Sequence, residues 1–561
     1  VAAAGVAASK RSCCGNPERG FSLASRFASV ACAESSVEKP ETHRHRSYEY
    51  LRLGNGLQVI LASDPSCDKA AAALCVGVGR LHEPKGTPGL AHFCEHMLFL
   101  GTERFPDEAE YKRFLKGHGG KCNAATGDAY TCYAFDVAPD FLSGALDRFS
   151  QFFLAPLFAP SATEREINAV DSEHSMRITD DGRRSYAALL LDANVAHPLH
   201  WGSGNAKTLR DEPRARGSDA HREVLEFYRQ HYSSEDMTLA VLGREPLPEL
   251  RRLVAERFAD VRATGRRALR GDAHGVDEPA VKPEDFPGLL LRVPSKDIRQ
   301  LAFSWQLPQW QVPFFESKPG AYASFLLGHE GEGSLLSALK ARGWGTSLHA
   351  GVDDFGCFSN FEVSATLTEA GLDHVEEVGA LVFTYLRLIR ATPVLPWVLD
   401  EMRQLREVRF RFADDQQPYN LVERLAKNLQ NYPPQKVLAA PVKIPKPDAA
   451  SSARLLRLLT AEGVRVELVG KRFAERCTSV DPWYGGQYCR ERQLADGWHR
   501  AWSQDFGDAT GSSEASLAAE AAAALGLRLP QPNPFVPEDL ALLPPPQRLL
   551  GTSAPRELDA P

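Results

Sequence analysis

The sequence predicts an α+β protein built from two homologous domains, each a mainly antiparallel sheet packed with helices. Apolar residues alternate on both sides of an Asn55-Gly56 turn, which predicts a β-hairpin. Segments with apolar residues at helical spacing are interleaved with further strands, and the hairpin links favour α+β over a doubly wound parallel sheet. A helix-to-strand segment of the first half is echoed in the second half, which indicates a duplicated domain.

The predicted elements of the first domain follow one another in a simple order, each assigned from its apolar period and its turn residues. They are a hairpin at 48–62, a strand at 74–78, helices at 90–101 and 106–116, one long strand at 123–137, and helices at 141–153 and 164–174. The helix at 90–101 ends at a glycine, as helices often do.

The second half repeats part of this pattern. Residues 334–343 echo residues 110–119. Each segment has apolar residues at helical spacing and ends with a lysine and, three positions later, a glycine. The equivalent positions are Lys116 and Lys340, Gly119 and Gly343, and, at the same offset, Gly127 and Gly351. This shared context predicts duplicated domains, of which only the first carries a His-x-x-Glu-His sequence.

Shifts of composition divide the chain into predicted units. Residues 1–45 are rich in Ala and Ser with an excess of basic side chains at the start, which predicts a disordered leader or an organellar targeting peptide. Residues 264–287 mix Gly, Asp, Glu and Pro without periodicity and are predicted to be a linker. The other predicted units are a catalytic domain at 46–263, a second domain at 288–505, and a flexible Ala/Ser-rich insertion with a Pro-rich tail at 506–561.

The overall composition is that of an ordinary globular protein. Charged residues make up 24% of the 561 residues and the net charge is -7, so no nucleic-acid partner is expected. The 11 cysteines are odd in number and have no repeated spacing, which favours a reducing compartment: the cytoplasm, or alternatively a mitochondrion or plastid. No apolar run approaches the ~20 residues of a membrane-spanning helix, so no membrane span is predicted.

The chemistry of the first domain is concentrated in the run from His92 to His96. Residues three and four apart share one face of a helix, so His92, Glu95 and His96 are expected on the same side. Two imidazoles one turn apart can bind one zinc ion, and the carboxylate beside them can take a proton from a water. The order His-x-x-Glu-His is the inverzincin signature. The alternative is an amphipathic helix with two partly buried histidines.

A catalytic zinc site usually takes three protein ligands, so a third ligand must come from elsewhere in the chain. In the predicted helix at 164–174, Glu166 and Glu173 differ by only about 20° around the helix axis. Both side chains could face the motif helix, and Glu173 is the candidate ligand. The alternative is a solvated acidic face, which is the commoner position of such side chains.

Long strings of this sequence resemble the insulysin and pitrilysin family of zinc metallopeptidases. The resemblance extends from about residue 48 to residue 543 and matches the first half of the insulysin type. It rests on the strings at 92–102, 123–137, 144–149, 168–174, 328–331, 343–344, 409–412 and 483–485. It implies the fold of that metallopeptidase half and a zinc-dependent endopeptidase that hydrolyses short peptides.

Carried over position by position, the resemblance implies that His92, His96 and Glu173 bind one zinc ion per chain. It also implies that Glu95 is the general base, which takes a proton from the attacking water and returns it to the leaving amine. Glu166 matches a carboxylate that supports the site by orienting a ligand.

The resemblance also implies where a peptide substrate binds. Phe99, Asn123 and Ala124 match the pocket and the edge strand that hold substrate beside the zinc, and an extended peptide can add to such a strand through main-chain hydrogen bonds. His329 and Gly356 match a distal site for the N-terminus of the substrate. The alternative for all five residues is ordinary packing within the sheets and at helix ends.

The sequence departs from the family pattern in two respects. Insulysin-type members have four homologous domains in two halves, and this chain resembles only the first half with the connecting segment. The other half supplies an arginine and a tyrosine to the site, and removing such donors costs roughly a few kcal/mol of barrier. A missing C-terminal half or a second chain is therefore an expected partner. Ala125 also replaces a usual aromatic residue, which changes the specificity pocket.

Two other functions stay open at the level of sequence. One is a non-catalytic peptide-binding or partner subunit, although the intact motif argues against it. The other is a subunit of an organellar processing peptidase, which the basic leader favours and the insulysin-type strings oppose.

Overall fold

The computed structural model of the protein describes residues 36–265, 279–307, 313–503 and 512–541. Most of the predicted leader, the middle of the predicted linker and the end of the Pro-rich tail lie outside these residues. The strands are β1 Ser47–Arg52, β2 Gln58–Ser63, β3 Ala70–Val76, β4 Lys121–Thr126, β5 Thr131–Val137, β6 Met237–Gly243, β7 Gly288–Arg292, β8 Gln300–Leu307, β9 Gly345–Asp354, β10 Ser359–Leu367, β11 Val464–Val469, β12 Ser479–Val480 and β13 Gln487–Glu491.

The helices occur singly or in successive groups between these strands and after the last of them. They are α1 Leu90–Leu98, α2 Glu110–Gly117, α3 Leu142–Leu154, α4 Thr163–Met176, α5 Asp181–Leu190, α6 Glu212–Ala215, α7 Ala220–His231, α8 Leu247–Phe258, α9 Pro319–Leu327, α10 Leu335–Ala341, α11 Glu369–Asp373, α12 Val375–Ala391, α13 Pro396–Arg411, α14 Pro418–Asn431, α15 Ala449–Leu456, α16 Asp496–Trp502 and α17 Ser512–Ala524.

The first sheet has the strand order β1-β2-β6-β3-β5-β4. The predicted hairpin is confirmed, since β1 pairs antiparallel with β2 around the Asn55-Gly56 turn. Gly56 has φ 89°, a left-handed conformation that glycine adopts without strain. Among its described strands only β2 and β6 run parallel, so the sheet is mainly antiparallel and the α+β fold class is confirmed.

Strand β3 lies at the centre of this sheet and is buried along its whole length. Its residues alternate between two cores: Leu74 belongs to the core that includes the motif helix, and Cys75 belongs to the core on the opposite face. Burial on both faces explains why the strand reads as a continuous apolar run and not as an alternating one.

The second sheet repeats part of the first in the same order and directions. Its order is β12-β13-β7-β11-β8-β10-β9, and the run from β7 to β9 matches the run from β2 to β4, including one parallel pair. The echoed segments are equivalent, because α2 and α10 each precede a glycine of positive φ, 69° at Gly119 and 71° at Gly343. Each segment then enters an edge strand, β4 or β9. The topology therefore supports the predicted duplication.

The prediction of one long strand at 123–137 is wrong. Strands β4 and β5 form an antiparallel hairpin in which Ala124 pairs with Tyr133, and the amide of Gly127 donates to the carbonyl of Tyr130 at 2.8 Å. Strand-favouring residues lie on both sides of the Gly127-Asp128 turn, so a prediction from period and composition joined the two strands into one. As a result, β4 becomes the edge of the sheet.

The insertion predicted after Trp502 is not flexible throughout. Ser512–Ala524 forms helix α17, which packs against α12. Ala522 and Leu527 are buried in the core of the second domain. Alanine has the highest helix propensity, so an Ala-rich composition is compatible with a packed helix as well as with a linker.

Helix α14 lies in the range predicted as the second domain but packs on the first sheet. Leu421 and Leu425 belong to the same core as Cys75. Near the end of the helix, Gln430 donates from Nε2 to the carbonyls of Cys75 and Asp236, at 3.0 Å each. The two halves of the chain are thus joined by a helix that no local pattern assigns to the first domain.

No single helix among the described residues has both the length and the apolar content of a bilayer span. Helices α12 and α13 meet those two criteria only as a pair, and they are bent by 104° where they meet. Much of α12 is buried in the second core, including Leu381, Tyr385 and Leu388.

Candidate metal centre and substrate cleft

Helix α1 carries the His-x-x-Glu-His sequence, and a buried carboxylate holds its first turn. Gly89 precedes the helix with φ 94°, and Glu83 accepts hydrogen bonds of 2.9 Å from the amides of Gly89 and Ala91. Amides at the start of a helix lack intrahelical partners, and a carboxylate there also complements the helix dipole. Burial raises the pKa of Glu83 to about 7 in spite of these contacts.

Helix α1 packs its apolar face into the first core, and this packing turns its polar face in the opposite direction. Phe93 and Met97 are fully buried in the first core. His92, Glu95 and His96 consequently face a cleft on the other side of the helix, as their three- and four-residue spacing predicts. Helices α4 and α7 and strand β4 pack around α1.

His92, His96 and Glu173 converge at one point of this cleft. Nε2 of His92 lies 3.6 Å from Oε2 of Glu173, and Nε2 of His96 lies 3.5 Å from Oε1. The two imidazole rings are nearly perpendicular, at 88°, with centroids 4.7 Å apart. One ligand atom from each of the three residues lies within 4.8 Å of the others. Glu173, which α4 supplies, is thus in coordinating reach of both histidines.

This donor set fits a catalytic zinc ion. Ligand atoms about 2.0–2.1 Å from a tetrahedral zinc lie about 3.3 Å apart, close to the separations seen here. Two imidazoles and one carboxylate form a zinc ligand set that leaves a fourth position for water. Burial, with contributions from His96 and Arg177, lowers the pKa of His92 to about 3, so this ring is neutral, as a metal ligand must be.

Glu95 lies on the same face of α1 but outside the ligand set. The residue is only 7% exposed, and its Oε2 accepts a hydrogen bond of 2.6 Å from the hydroxyl of Thr126 on β4. Burial raises the pKa of Glu95 above the ordinary value for a glutamate. A buried, oriented carboxylate with a raised pKa is suited to accept a proton during catalysis.

Glu166, two turns before Glu173 on α4, contacts the other nitrogen of His96. Its Oε2 lies 3.3 Å from Nδ1 of the imidazole. Burial by itself lowers the pKa of His96, but the hydrogen bond to Glu166 and the charge of Glu173 outweigh it, so the pKa is raised. The same hydrogen bond lowers the pKa of Glu166. A contact of this kind orients a metal-binding imidazole.

The cleft has a volume of about 1120 Å³ and is lined by both domains. Asn123 and Ala124 line it from β4, and Gly356 lines it from the turn between β9 and β10. Because β4 is the last strand of its sheet, its outer backbone edge has no strand neighbour among the described residues. An extended peptide can pair with such an edge.

Two of the predicted substrate contacts are not among the described residues that line the cleft. Phe99, which follows α1, packs into the first core beside Phe152 at a centroid distance of 5.2 Å. His329 follows α9, where its Nδ1 accepts a hydrogen bond of 3.0 Å from the amide of Gly331. Of the five residues predicted from the resemblance, the cleft therefore brings together Asn123, Ala124 and Gly356.

Several residues of the site were not predicted from the sequence. Arg177 lies 3.4 Å from Oε2 of Glu173 and could have been inferred from its spacing of four residues on the same helix. The contacts of Thr126 and Glu83 join different elements, so no local pattern predicts them. Tyr484 enters the cleft from the second domain.

Three models of one protein family match successive parts of this chain. The model of insulinase, peptidase family M16, matches residues 58–190, which include all four residues of the proposed centre. The model of the inactive domain of peptidase M16 matches residues 221–405. The model of the middle or third domain of peptidase M16 matches residues 410–558.

The chain is also similar to individual peptidases. It is 42% identical to the insulin-degrading enzyme of Drosophila melanogaster over 458 residues, which are 80% of this chain and 45% of the relative. It is 38% identical to that of Homo sapiens over 535 residues, 95% of this chain and 50% of the relative. A crystal structure of pitrilysin matches with a TM-score of 0.83 at 28% identity, over 92% of this chain and 52% of that one. The chain thus spans about half the length of these relatives.

Proposed function

The chain belongs to the insulinase family, peptidase family M16, and we propose that it is a zinc-dependent endopeptidase that hydrolyses short peptides. The observation that carries the proposal is the convergence of His92, His96 and Glu173 in one cleft, with Glu95 beside them. These residues supply three metal ligands and one proton acceptor, which are the protein groups that metal-assisted peptide hydrolysis requires.

The residues of the centre have separate tasks in this reaction. His92, His96 and Glu173 would hold a zinc ion, which supplies a Lewis acid for the scissile carbonyl and the attacking water. Glu95 takes a proton from that water at its carboxylate and passes it to the leaving nitrogen. The Thr126 hydroxyl, 2.6 Å from this carboxylate, keeps it oriented during both transfers.

Strand β4 is the proposed binding platform for the peptide. Its outer edge, in the stretch that includes Asn123 and Ala124, offers the main-chain N–H and C=O groups of every second residue for hydrogen bonds next to the centre. Main-chain pairing does not depend on the substrate's side chains, so it supports a broad tolerance of sequence. Ala125 also lines the cleft, and its small side chain leaves room where family members usually have an aromatic ring.

This chain spans about half the length of the insulin-degrading enzymes it resembles. We propose that a further half, or a second chain, closes over the cleft and supplies additional donors to the transition state. Losing such donors costs roughly 2.7–4 kcal/mol of barrier in other hydrolases, so this chain alone should cleave slowly.

Metal content and peptide cleavage test the proposal together. The protein is stripped with a chelator, reloaded with zinc, and assayed with a fluorogenic, unstructured peptide. We expect one zinc per chain and hydrolysis that depends on it. The His92→Ala variant should bind no zinc at the centre. The matched control is His374→Ala, which removes an exposed imidazole of the second domain and should keep zinc and activity.

The outcomes separate the candidate functions. Zinc bound by His92→Ala at the level of the parent would contradict the assigned centre. A protein that binds zinc and peptide but leaves the peptide uncut would favour a non-catalytic peptide-binding subunit. Cleavage of folded precursors in preference to short peptides would favour a processing peptidase.

A further inference from the structure

We infer that a loop of the second domain, residues 481–486, positions the metal centre of the first domain, with Trp483 and Tyr484 as the positioning residues. The inference rests on the proposed zinc site, because it concerns the relative placement of the two helices that carry the ligands. Tyr484 is itself nearly buried and lines the cleft beside that centre.

The loop is held in one conformation by its own aspartate. Oδ1 of Asp481 accepts hydrogen bonds from the amides of Trp483, at 3.0 Å, and Tyr484, at 2.7 Å. Oδ2 of Asp481 accepts a third from the amide of Gly486, at 2.6 Å. The loop joins β12 to β13, and β13 pairs with β7 of the second sheet. The two aromatic side chains are therefore presented by a hydrogen-bonded loop that is anchored to the second sheet.

Tyr484 contacts helix α4 at the residue that follows the third ligand. Its ring stacks on the imidazole of His174, with centroids 5.2 Å apart and an angle of 26° between the planes. Its hydroxyl donates to Oγ of Ser203 at 3.3 Å, and the same Oγ lies 3.2 Å from Nδ1 of His174. Since His174 is bonded to Glu173, these contacts restrain the part of α4 from which the ligand projects.

Trp483 reaches the other ligand helix through the segment 202–204. Its indole lies so close to Gly202 that a Cβ there would be 1.8 Å from Nε1, and Gly202 has φ 82°. At the other end of the segment, Gly204 lies against Gly89, where a Cβ would be 2.2 Å from the Cα of Gly204. Gly89 is the residue that precedes helix α1.

One loop thus restrains both helices of the centre, α4 through His174 and α1 through the segment 202–204. Ligand distances in a zinc site are defined to within about 0.2 Å, and a misplacement of about 1 Å is enough to disable a designed site. Loss of the loop contacts should therefore weaken zinc binding even when both domains stay folded. A role confined to stability would lower the unfolding temperature and leave the zinc affinity of the folded protein unchanged.

The test measures zinc affinity and apo-protein stability side by side. Competition with a chromogenic chelator gives the zinc dissociation constants. Thermal unfolding of the apo protein gives the unfolding temperatures. The visible spectrum of the Co²⁺ form reports the geometry of the ligands. We expect Tyr484→Ala and Trp483→Ala to weaken zinc binding roughly 10–100-fold and to change the Co²⁺ spectrum. Tyr484→Phe, which keeps the stacked ring, should have a smaller effect.

The matched control removes a similar contact between two residues that do not line the cleft. Trp344 stacks on His374 in the second domain, with centroids 4.5 Å apart at 19°. The Trp344→Ala variant should lose stability and keep the zinc affinity of the parent. Should the alanine variants at 483 or 484 fail to fold, Ser203→Ala takes their place, because it removes two hydrogen bonds and no apolar surface.

Parent zinc affinity and an unchanged Co²⁺ spectrum in the folded loop variants, or in Ser203→Ala, would overturn the inference. The His92→Ala variant distinguishes this failure from failure of the proposed function. If His92→Ala loses zinc and the loop variants do not, only the positioning role is refuted. If His92→Ala also keeps its zinc, the centre itself is wrongly assigned and the inference falls with it.

Discussion

The imidazole of His96 lies between two carboxylates, with Nδ1 3.3 Å from Glu166 and Nε2 3.5 Å from Glu173. Glu166 can accept a hydrogen bond from Nδ1, which leaves the lone pair of Nε2 directed towards Glu173 and free to bind the proposed zinc ion. The pair Glu166 and His96 thus determines which ring nitrogen is available as a ligand.

Removing Glu166 should weaken zinc binding and leave the fold in place. In Glu166→Ala the imidazole of His96 loses its fixed orientation and tautomer, and we expect the zinc dissociation constant to rise roughly 10–100-fold. Chelator competition measures this change. Glu164→Ala, on the exposed face of the same helix, is the control and should bind zinc as the parent does. Equal affinities for Glu166→Ala and Glu164→Ala would argue against a supporting role.

Zinc affinity should fall in acid, and Glu166 should set the pH at which it falls. The pKa of His96 is raised because Glu166 and Glu173 outweigh the effect of burial, and a protonated imidazole does not bind metal. As the pH falls through this pKa, affinity should drop about tenfold per pH unit. In Glu166→Gln the pKa of His96 is lower, so the drop should begin at a lower pH. Zinc dissociation constants of the parent and of Glu166→Gln are measured between pH 5 and 8. Coinciding curves of affinity against pH for the two proteins would disprove this prediction.

Replacing Glu95 should separate metal binding from turnover. The Glu95→Gln side chain keeps the size and can still accept the hydrogen bond of Thr126, but it does not take a proton. We expect one zinc per chain and a loss of roughly 10²–10⁴-fold in kcat. Zinc analysis and hydrolysis of the fluorogenic peptide measure the two properties on one sample. Turnover within the range of the parent would exclude Glu95 as the base.

The contact of Gln430 with the first sheet should contribute to stability. In Gln430→Ala the carbonyls of Cys75 and Asp236 lose a buried side chain as their hydrogen-bond donor. Because the loss of a hydrogen bond in a buried place is costly, we expect the free energy of unfolding to fall by about 1–3 kcal/mol. Urea denaturation measures this change. Gln404→Ala removes a partly exposed glutamine whose Nε2 donates to Oδ2 of Asp400 one turn earlier in the same helix, at 2.6 Å, and it should stay within about 0.5 kcal/mol of the parent.

The sequence by itself determined the features that depend on a few neighbouring residues. The 3.6-residue period placed His92, Glu95 and His96 on one helix face, and the Asn55-Gly56 turn located the first hairpin. The lysine-to-glycine echo located Gly119 and Gly343, which share a positive φ in equivalent positions of the two sheets. Backbone geometry acts over such short distances, so these features are visible in a string of residues.

Only the tertiary structure decided the features that join distant elements. From its spacing alone, Glu173 could be either a metal ligand or part of a solvated acidic face. The packing of α4 against α1 brings its carboxylate to the two histidines. Packing also determines three other features: the turn after β4, the position of α14 on the first sheet and the contact of Tyr484 with His174. Contacts of this kind form when apolar surfaces of separate elements are buried together, and a local pattern carries no information about which surfaces will meet.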